Sequence, residues 1–227
     1  MVIPRRSVLF MPGSNTRAHD KAKAIETDTI VFDLEDAVAP SAKAEARTLV
    51  AAALTSGDYG YRELAVRING IDTEWWQDDI AAVAQASPAA IVIPKVETAE
   101  TIAAVAAELY RHAPDSTSAL WVMMETPLGF LNAGDIASGH PRLTTLVIGT
   151  NDLVKDLRAS HTKDREPVVT ALGLAMLAAR AHGLTILDGV YNDFKDTEGL
   201  ARECAQARAM GFDGKTLIHP AQVDVAN

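Results

Sequence analysis

The stretch AIVIPKVETAETIAAVAAELYRHA, residues 90–113, contains the repeating unit of this chain. Its opening run, AIVIPKV (90–96), is apolar almost throughout and lacks the polar alternation of a half-exposed strand. Such runs suit parallel strands covered on both faces. The segment that follows, TAETIAAVAAELYRHA (98–113), spaces its apolar residues at a helical period. The same strand-then-helix rhythm recurs along the sequence. Further strand candidates are SVLFMP (7–12), TIVFDLE (29–35), LAVRIN (64–69), LWVMMET (120–126), TLVIGTN (145–151), TILDGV (185–190) and KTLIHP (215–220). Another helical segment, LARECAQARAMG (200–211), ends on Gly211, a plausible C-terminal stop.

Eight such units fit a closed (β/α)8 barrel better than an open doubly wound sheet. A glycine-rich G-x-G-x-x-G turn is missing after the first strand, which weighs against dinucleotide binding. No Pro/Ser/Gly-rich linker divides the chain, so residues 1–227 read as one TIM-like barrel domain of the α/β class. Only AQVDVAN follows Pro220, so the last helix is expected to be short and the C-terminal segment short or missing.

With 48% hydrophobic and 22% charged residues, the chain has an ordinary globular balance and is not a disordered one. A net charge of −9 with scattered basic residues argues against a nucleic-acid surface. The single Cys204 excludes an intramolecular disulfide framework and a cysteine-rich zinc site, and it reads as a small buried hydrophobe. Neither a signal-peptide core nor a membrane-length apolar run is evident, which leads to the expectation of a soluble, cytoplasmic protein without membrane contact.

In a parallel barrel the chemistry collects at the C-terminal strand ends. There the sequence offers Asp33, Glu35 and Asp36, then Arg67 and Asn69, Lys95 and Glu97, Glu125, Gly149-Thr150-Asn151-Asp152, Asp188 and His219. An acidic face with embedded cations can hold a hard divalent metal through oxygen ligands. Each residue also has a plainer reading. Glu125 and Asp152 suit helix N-termini, Arg67 suits a structural ion pair, Lys95 and Glu97 a rim pair, and His219 a hydrogen-bonded structural role. Taken together, the convergence of polar groups on one end points to a metal-assisted site for a small carboxylate, with the GTND turn cradling the anion through its backbone amides.

RSVLFMPGS (6–14), FDLEDAVAPSAKAEAR (32–47), VRIN (66–69), IPKVE (93–97), METPLG (124–129), GTNDL (149–153) and GFDGKTLIHPAQV (211–223) occur in this order. Together they resemble the citrate lyase beta-subunit-like family, which includes malyl-CoA and citramalyl-CoA lyases within the HpcH/HpaI aldolase superfamily. The resemblance implies a Mg²⁺-dependent TIM-like barrel that assembles as a homotrimer or hexamer. It implies Glu125 and Asp152 as metal ligands and Arg67 as the residue gripping the oxo acid and the developing enolate. Gly149, Thr150 and Asn151 would bind the substrate carboxylate, and Arg6 would line the CoA ester channel. Glu35 and Asp36 would complete the catalytic set by ordering metal-bound water.

The implied reaction is reversible cleavage of a 3-hydroxyacyl-CoA, such as malyl-CoA or citramalyl-CoA, into an acyl-CoA and a 2-oxo acid. Relatives acting on CoA esters continue past the HP-x-Q motif with a G-x-M-[IV]-D stretch whose Asp is a candidate acid/base. This sequence carries no such stretch and leaves the general base unassigned. Alternatives are the beta subunit of a citrate lyase complex working on an acyl-carrier-protein thioester, a thioesterase using the same substrate, and a non-catalytic relative. A free-acid aldolase ranks lower, because those relatives carry D-x-E-H where this chain has Asp33-Leu34-Glu35-Asp36.

Overall fold

The Val- and Ile-rich runs pair edge to edge in chain order. In a computed structural model describing residues 4–227, β1 (Ser7–Pro12), β2 (Thr29–Asp33), β3 (Glu63–Arg67), β4 (Ala90–Ile93), β5 (Ala119–Met124), β6 (Leu143–Ile148), β7 (Thr185–Asp188) and β8 (Gly214–Leu217) form one closed, parallel barrel. Closure comes from β8 pairing with β1, Lys215 opposite Ser7 and Leu217 opposite Leu9.

Strand alternation sorts the apolar residues into two layers. Outward-facing Ile30, Phe32, Ile91, Ile93, Val122, Leu146 and Ile148 pack under the helices, burying the large outer core. Inward-facing Val8, Val31, Ala65, Ala90, Val92, Trp121, Met123, Val147 and Leu187 fill the barrel. Trp121 is fully buried, and the small Ala65 and Ala90 leave room for its indole in that layer. Arg5 places its guanidinium 4.8 Å from the indole centroid and pairs with Glu63 at 2.7 Å, closing the floor of the barrel with a cation–π contact and an ion pair.

The helix Ala99–His112 turns Ile102, Val105 and Leu109 inward, as the period of residues 98–113 predicts. The helix Thr197–Met210 ends at Gly211, whose φ of 99° only glycine adopts without cost. Cys204 on this helix is half-buried rather than fully enclosed. Every expected strand is present, but most stop two or three residues before their apolar run does. Pro94 cannot donate to a ladder, so β4 ends at Ile93. Gly149 begins a turn into the helix Thr150–Asp156. The trimmed residues form loops, and those loops carry the polar groups.

After β8, residues Pro220–Gln222 make one 3₁₀ turn and Val223–Ala226 a four-residue helix. Among the described residues no helix is long and apolar enough to cross a membrane.

Two strand-end residues prove structural. His219 accepts the Ala221 amide through Nδ1 and caps the turn it precedes. Asp188 is fully buried between Arg165 at 2.7 Å and Lys215 at 2.8 Å. Removing one member of a buried ion-pair set leaves uncompensated charge. Asp188→Ala is therefore expected to lower unfolding stability by about 3 kcal/mol, read as a shift in the urea midpoint at unchanged slope.

Candidate active site

A cavity of about 390 Å³ opens at the C-terminal strand ends. Asp33, Asp36, Arg67, Glu125 and the turn Gly149–Asp152 line it, with Phe10 and Met123 supplying apolar wall. A second cavity of about 370 Å³, under residues 160–168 and 190–203, shares only Thr150 and Val190 with it.

Arg67 is the last residue of β3, beside Asp33 at the end of β2. Register alone brings the two together, and they form a bidentate pair, Nε to Oδ1 at 2.7 Å and Nη2 to Oδ2 at 2.6 Å. Nη1 lies 2.9 Å from Glu35 and 3.7 Å from Asp36. Burial opposes the charge on Arg67, yet Asp33 and then Glu35 hold the guanidinium firmly protonated. Asp33 also accepts the amides of Glu35 and Ala37, folding the acidic loop around itself. Lys43 donates from beneath to the carbonyls of Leu34 and Glu35. Cations and amides of the chain thus absorb the crowding of Asp33, Glu35 and Asp36.

Glu125 stands just past β5 and is buried. Oε1 accepts the Lys95 amide at 2.7 Å. Oε2 lies over Gly149, where a Cβ would stand 2.4 Å from it, so only glycine leaves space. The Glu125 carboxyl is pushed up to about 7, first by burial and then by the charge of Glu35, with Asp152 adding to the effect. Asp152 is half-buried in the first turn of the helix Thr150–Asp156 and lines the same cavity.

The donor set fits a hard divalent cation. Of the four carboxylates that line the cavity, Asp33 is held by Arg67, and Glu125, beside Asp152, carries an electrostatic burden that a cation would relieve. Among the described residues no group of three or more His, Cys, Asp or Glu converges on a common point. Two protein ligands with the remaining positions taken by water or substrate suit Mg²⁺, which keeps several waters.

Other residues singled out in the sequence are placed as follows. The Gly149 amide donates to the Met124 carbonyl at 2.9 Å, so Gly149 contributes space rather than an anion-binding N–H. Thr150, Asn151 and Asp152 begin a helix, and their amides have no acceptor within it. The Asn151 side chain exchanges hydrogen bonds with Asn192. Asn69 is structural, bonded to the Leu34 carbonyl and Asp79. Lys95 pairs with Glu35 at 2.6 Å instead of Glu97.

Arg6 is not at the site. It precedes β1 at the opposite end of the barrel and grips Asp28 through Nε and Nη2, at 2.9 and 2.7 Å. The six-residue β1 separates the two ends by roughly 20 Å, so Arg6 lines no channel into this cavity. One contributor escaped the sequence reading: Lys43 lies in a helical stretch. Lys95 is among the strand-end candidates, but its left-handed backbone has no sequence signal.

The family model for HpcH/HpaI aldolase/citrate lyase matches residues 6–220. The chain belongs to the HpcH/HpaI aldolase/citrate lyase family. It is 56% identical over 224 residues to a (3S)-malyl-CoA thioesterase of Cereibacter sphaeroides, covering 99% of this chain and 76% of the relative. It is 35% identical over 227 residues to the citrate lyase subunit beta of Escherichia coli, covering 97% and 75%. A citrate lyase beta subunit from Mycobacterium tuberculosis, complexed with oxaloacetate and magnesium, superposes with a TM-score of 0.84 at 28% identity, covering 98% of this chain and 95% of the other. A further structure from that organism holds magnesium, acetoacetate and coenzyme A, with a TM-score of 0.84 at 29% identity and coverage of 98% and 79%. The HpcH/HpaI family thus joins enzymes acting on CoA and acyl thioesters on one barrel.

The close approach at Gly149 yields a direct test. Gly149→Ala is expected to push Glu125 out of position and weaken Mn²⁺ binding about tenfold or more, followed by titration calorimetry, while the far-ultraviolet circular dichroism spectrum stays that of the parent.

Proposed function

We propose that the chain is a Mg²⁺-dependent enzyme acting on a short 3-hydroxyacyl-CoA thioester of the malyl type. The observation that carries this reading is that Glu125 and Asp152 line one cavity together with Arg67. Glu125 and Asp152 would hold the cation, which when bound supplies Lewis-acid polarisation and a template for a 2-hydroxy or 2-oxo acid. The amides of Thr150, Asn151 and Asp152, at a helix N-terminus, would receive the substrate carboxylate.

Arg67 faces the far end of the bound acid. Its bidentate hold on Asp33 fixes the guanidinium plane before substrate arrives, so Nη1 needs little reorganisation to meet a developing oxyanion. Hydrolysis of the thioester and cleavage of the neighbouring C–C bond both place that negative charge on the thioester carbonyl oxygen. One preorganised arginine therefore serves either outcome. Hydrolysis to malate and free CoA is the first reading, supported by 56% identity across nearly the whole chain to (3S)-malyl-CoA thioesterases. Cleavage to an acyl-CoA and a 2-oxo acid is the second, supported by likeness to citrate lyase beta subunits and to a neighbour holding oxaloacetate and magnesium. With either goes a cytoplasmic homotrimer or hexamer, for which light scattering coupled to size exclusion is the check.

The two outcomes release different products. With Mg²⁺ and (3S)-malyl-CoA, hydrolysis is expected to free one thiol per malate, read with a disulfide chromogen, and to give no glyoxylate phenylhydrazone. Glyoxylate without thiol assigns the lyase reaction instead, and neither product rejects both. Arg67→Met is expected to lower kcat about 100-fold, and chelation of the metal to abolish turnover.

A further inference from the structure

Lys95 adopts φ +50°, a left-handed conformation that a residue with a Cβ rarely takes. Pro94 precedes it and ends β4, so the backbone leaves the barrel wall at this point. Two contacts follow. The Lys95 amide reaches Glu125 Oε1 at 2.7 Å. The ammonium of the same residue returns across the barrel mouth to Glu35 Oε1 at 2.6 Å.

A glycine at position 95 would take this conformation freely and still supply the amide. The strained lysine adds the side chain, and the side chain is spent on Glu35. Glu35 is buried, its Oε1 on Lys95 and its Oε2 facing Arg67 at 2.9 Å. Released from Lys95, it would be a third carboxylate free to turn toward Glu125 and Asp152.

We infer that Lys95 is a positioning residue for the candidate cation site. Its amide occupies Glu125 Oε1 and leaves Oε2 for the cation, and its ammonium keeps Glu35 beside Arg67 and out of the cation's coordination sphere. The inference rests on the metal reading proposed above, and it explains how Glu35, crowded among the acids at one barrel end, stays off the cation. A third carboxylate would take a position that a chelating hydroxy acid needs.

The test uses Mn²⁺ alone, with free metal counted by electron paramagnetic resonance, so it does not depend on turnover. Titrations compare the parent chain, Lys95→Met, Glu35→Gln and the double variant, with Glu125→Gln probing the metal site itself. Lys95→Met is expected to bind Mn²⁺ about fivefold tighter or more, because Glu35 becomes a ligand. In the Glu35→Gln background the same change is expected to give no tightening. Equal tightening in both backgrounds overturns the inference, since Lys95 then acts only as a nearby positive charge, and so does unchanged affinity throughout. Lys95→Gly, which keeps the amide and relieves the backbone, gives the same comparison should the Met variant fold poorly. A parent chain that binds no Mn²⁺, or binds it undiminished after Glu125→Gln, removes the metal reading together with this one. A parent that binds and loses affinity with Glu125→Gln, while the Lys95 series stays flat, removes this one alone.

Discussion

The buried guanidinium of Arg67 determines how the carboxylates at one end of the barrel coexist. Asp33 takes two of its nitrogens and Glu35 faces the third, so the acidic loop after β2 is anchored to the end of β3 before any ligand is considered. Taking such charges out of water costs more than a lone ion pair returns unless the geometry is good and further hydrogen bonds complete it. Here the amides of Glu35 and Ala37 and the ammonium groups of Lys43 and Lys95 complete it. Loss of Arg67 would leave the loop holding buried negative charge.

Against that cluster, in which Glu35 Oε2 has an ion-pair contact with Arg67 but no hydrogen bond, Glu125 and Asp152 differ. Glu125 has one oxygen on the Lys95 amide and the other over Gly149, with burial and nearby negative charge opposing its ionisation. Where polar groups are so arranged, the imbalance marks a site rather than a structural pair. The fold contributes the proximity: β5 and β6 are neighbours, Glu125 directly follows β5, Asp152 lies in the first turn of the helix after β6, and both line the cavity at the barrel mouth.

The barrel was legible because its signals are local. Continuous Val/Ile runs and helix-period segments reappear as all eight strands and the helices between them, and Gly211 stops its helix as expected. The site was legible in outline, since parallel strands must deliver their C-terminal residues to one face. Which of those residues are spoken for was not. Asp188 stands at a strand end like the site residues, yet pairing with Arg165 and Lys215 consumes it, while His219 takes the structural role its sequence context suggests, as a cap at Ala221. Those partners are set by tertiary packing. Arg6 failed for a simpler reason. It precedes its strand instead of following it, so the barrel carries it to the floor. A rim pair of Lys95 with Glu97, the plainer of its two readings, does not form, because its left-handed backbone turns it toward Glu35.

The central claim is that Glu125 and Asp152 hold a divalent cation while Arg67 and Lys95 keep the β2 acids away from it. Anomalous diffraction from crystals grown with Mn²⁺ and a 2-oxo acid tests it most directly. The account predicts one peak within bonding distance of Glu125 Oε2 and Asp152, with Glu35 still on Lys95 and Arg67. A peak on Glu35 or Asp36 with Glu125 unliganded would contradict it, as would an ordered 2-oxo acid in the cavity with no metal beside it.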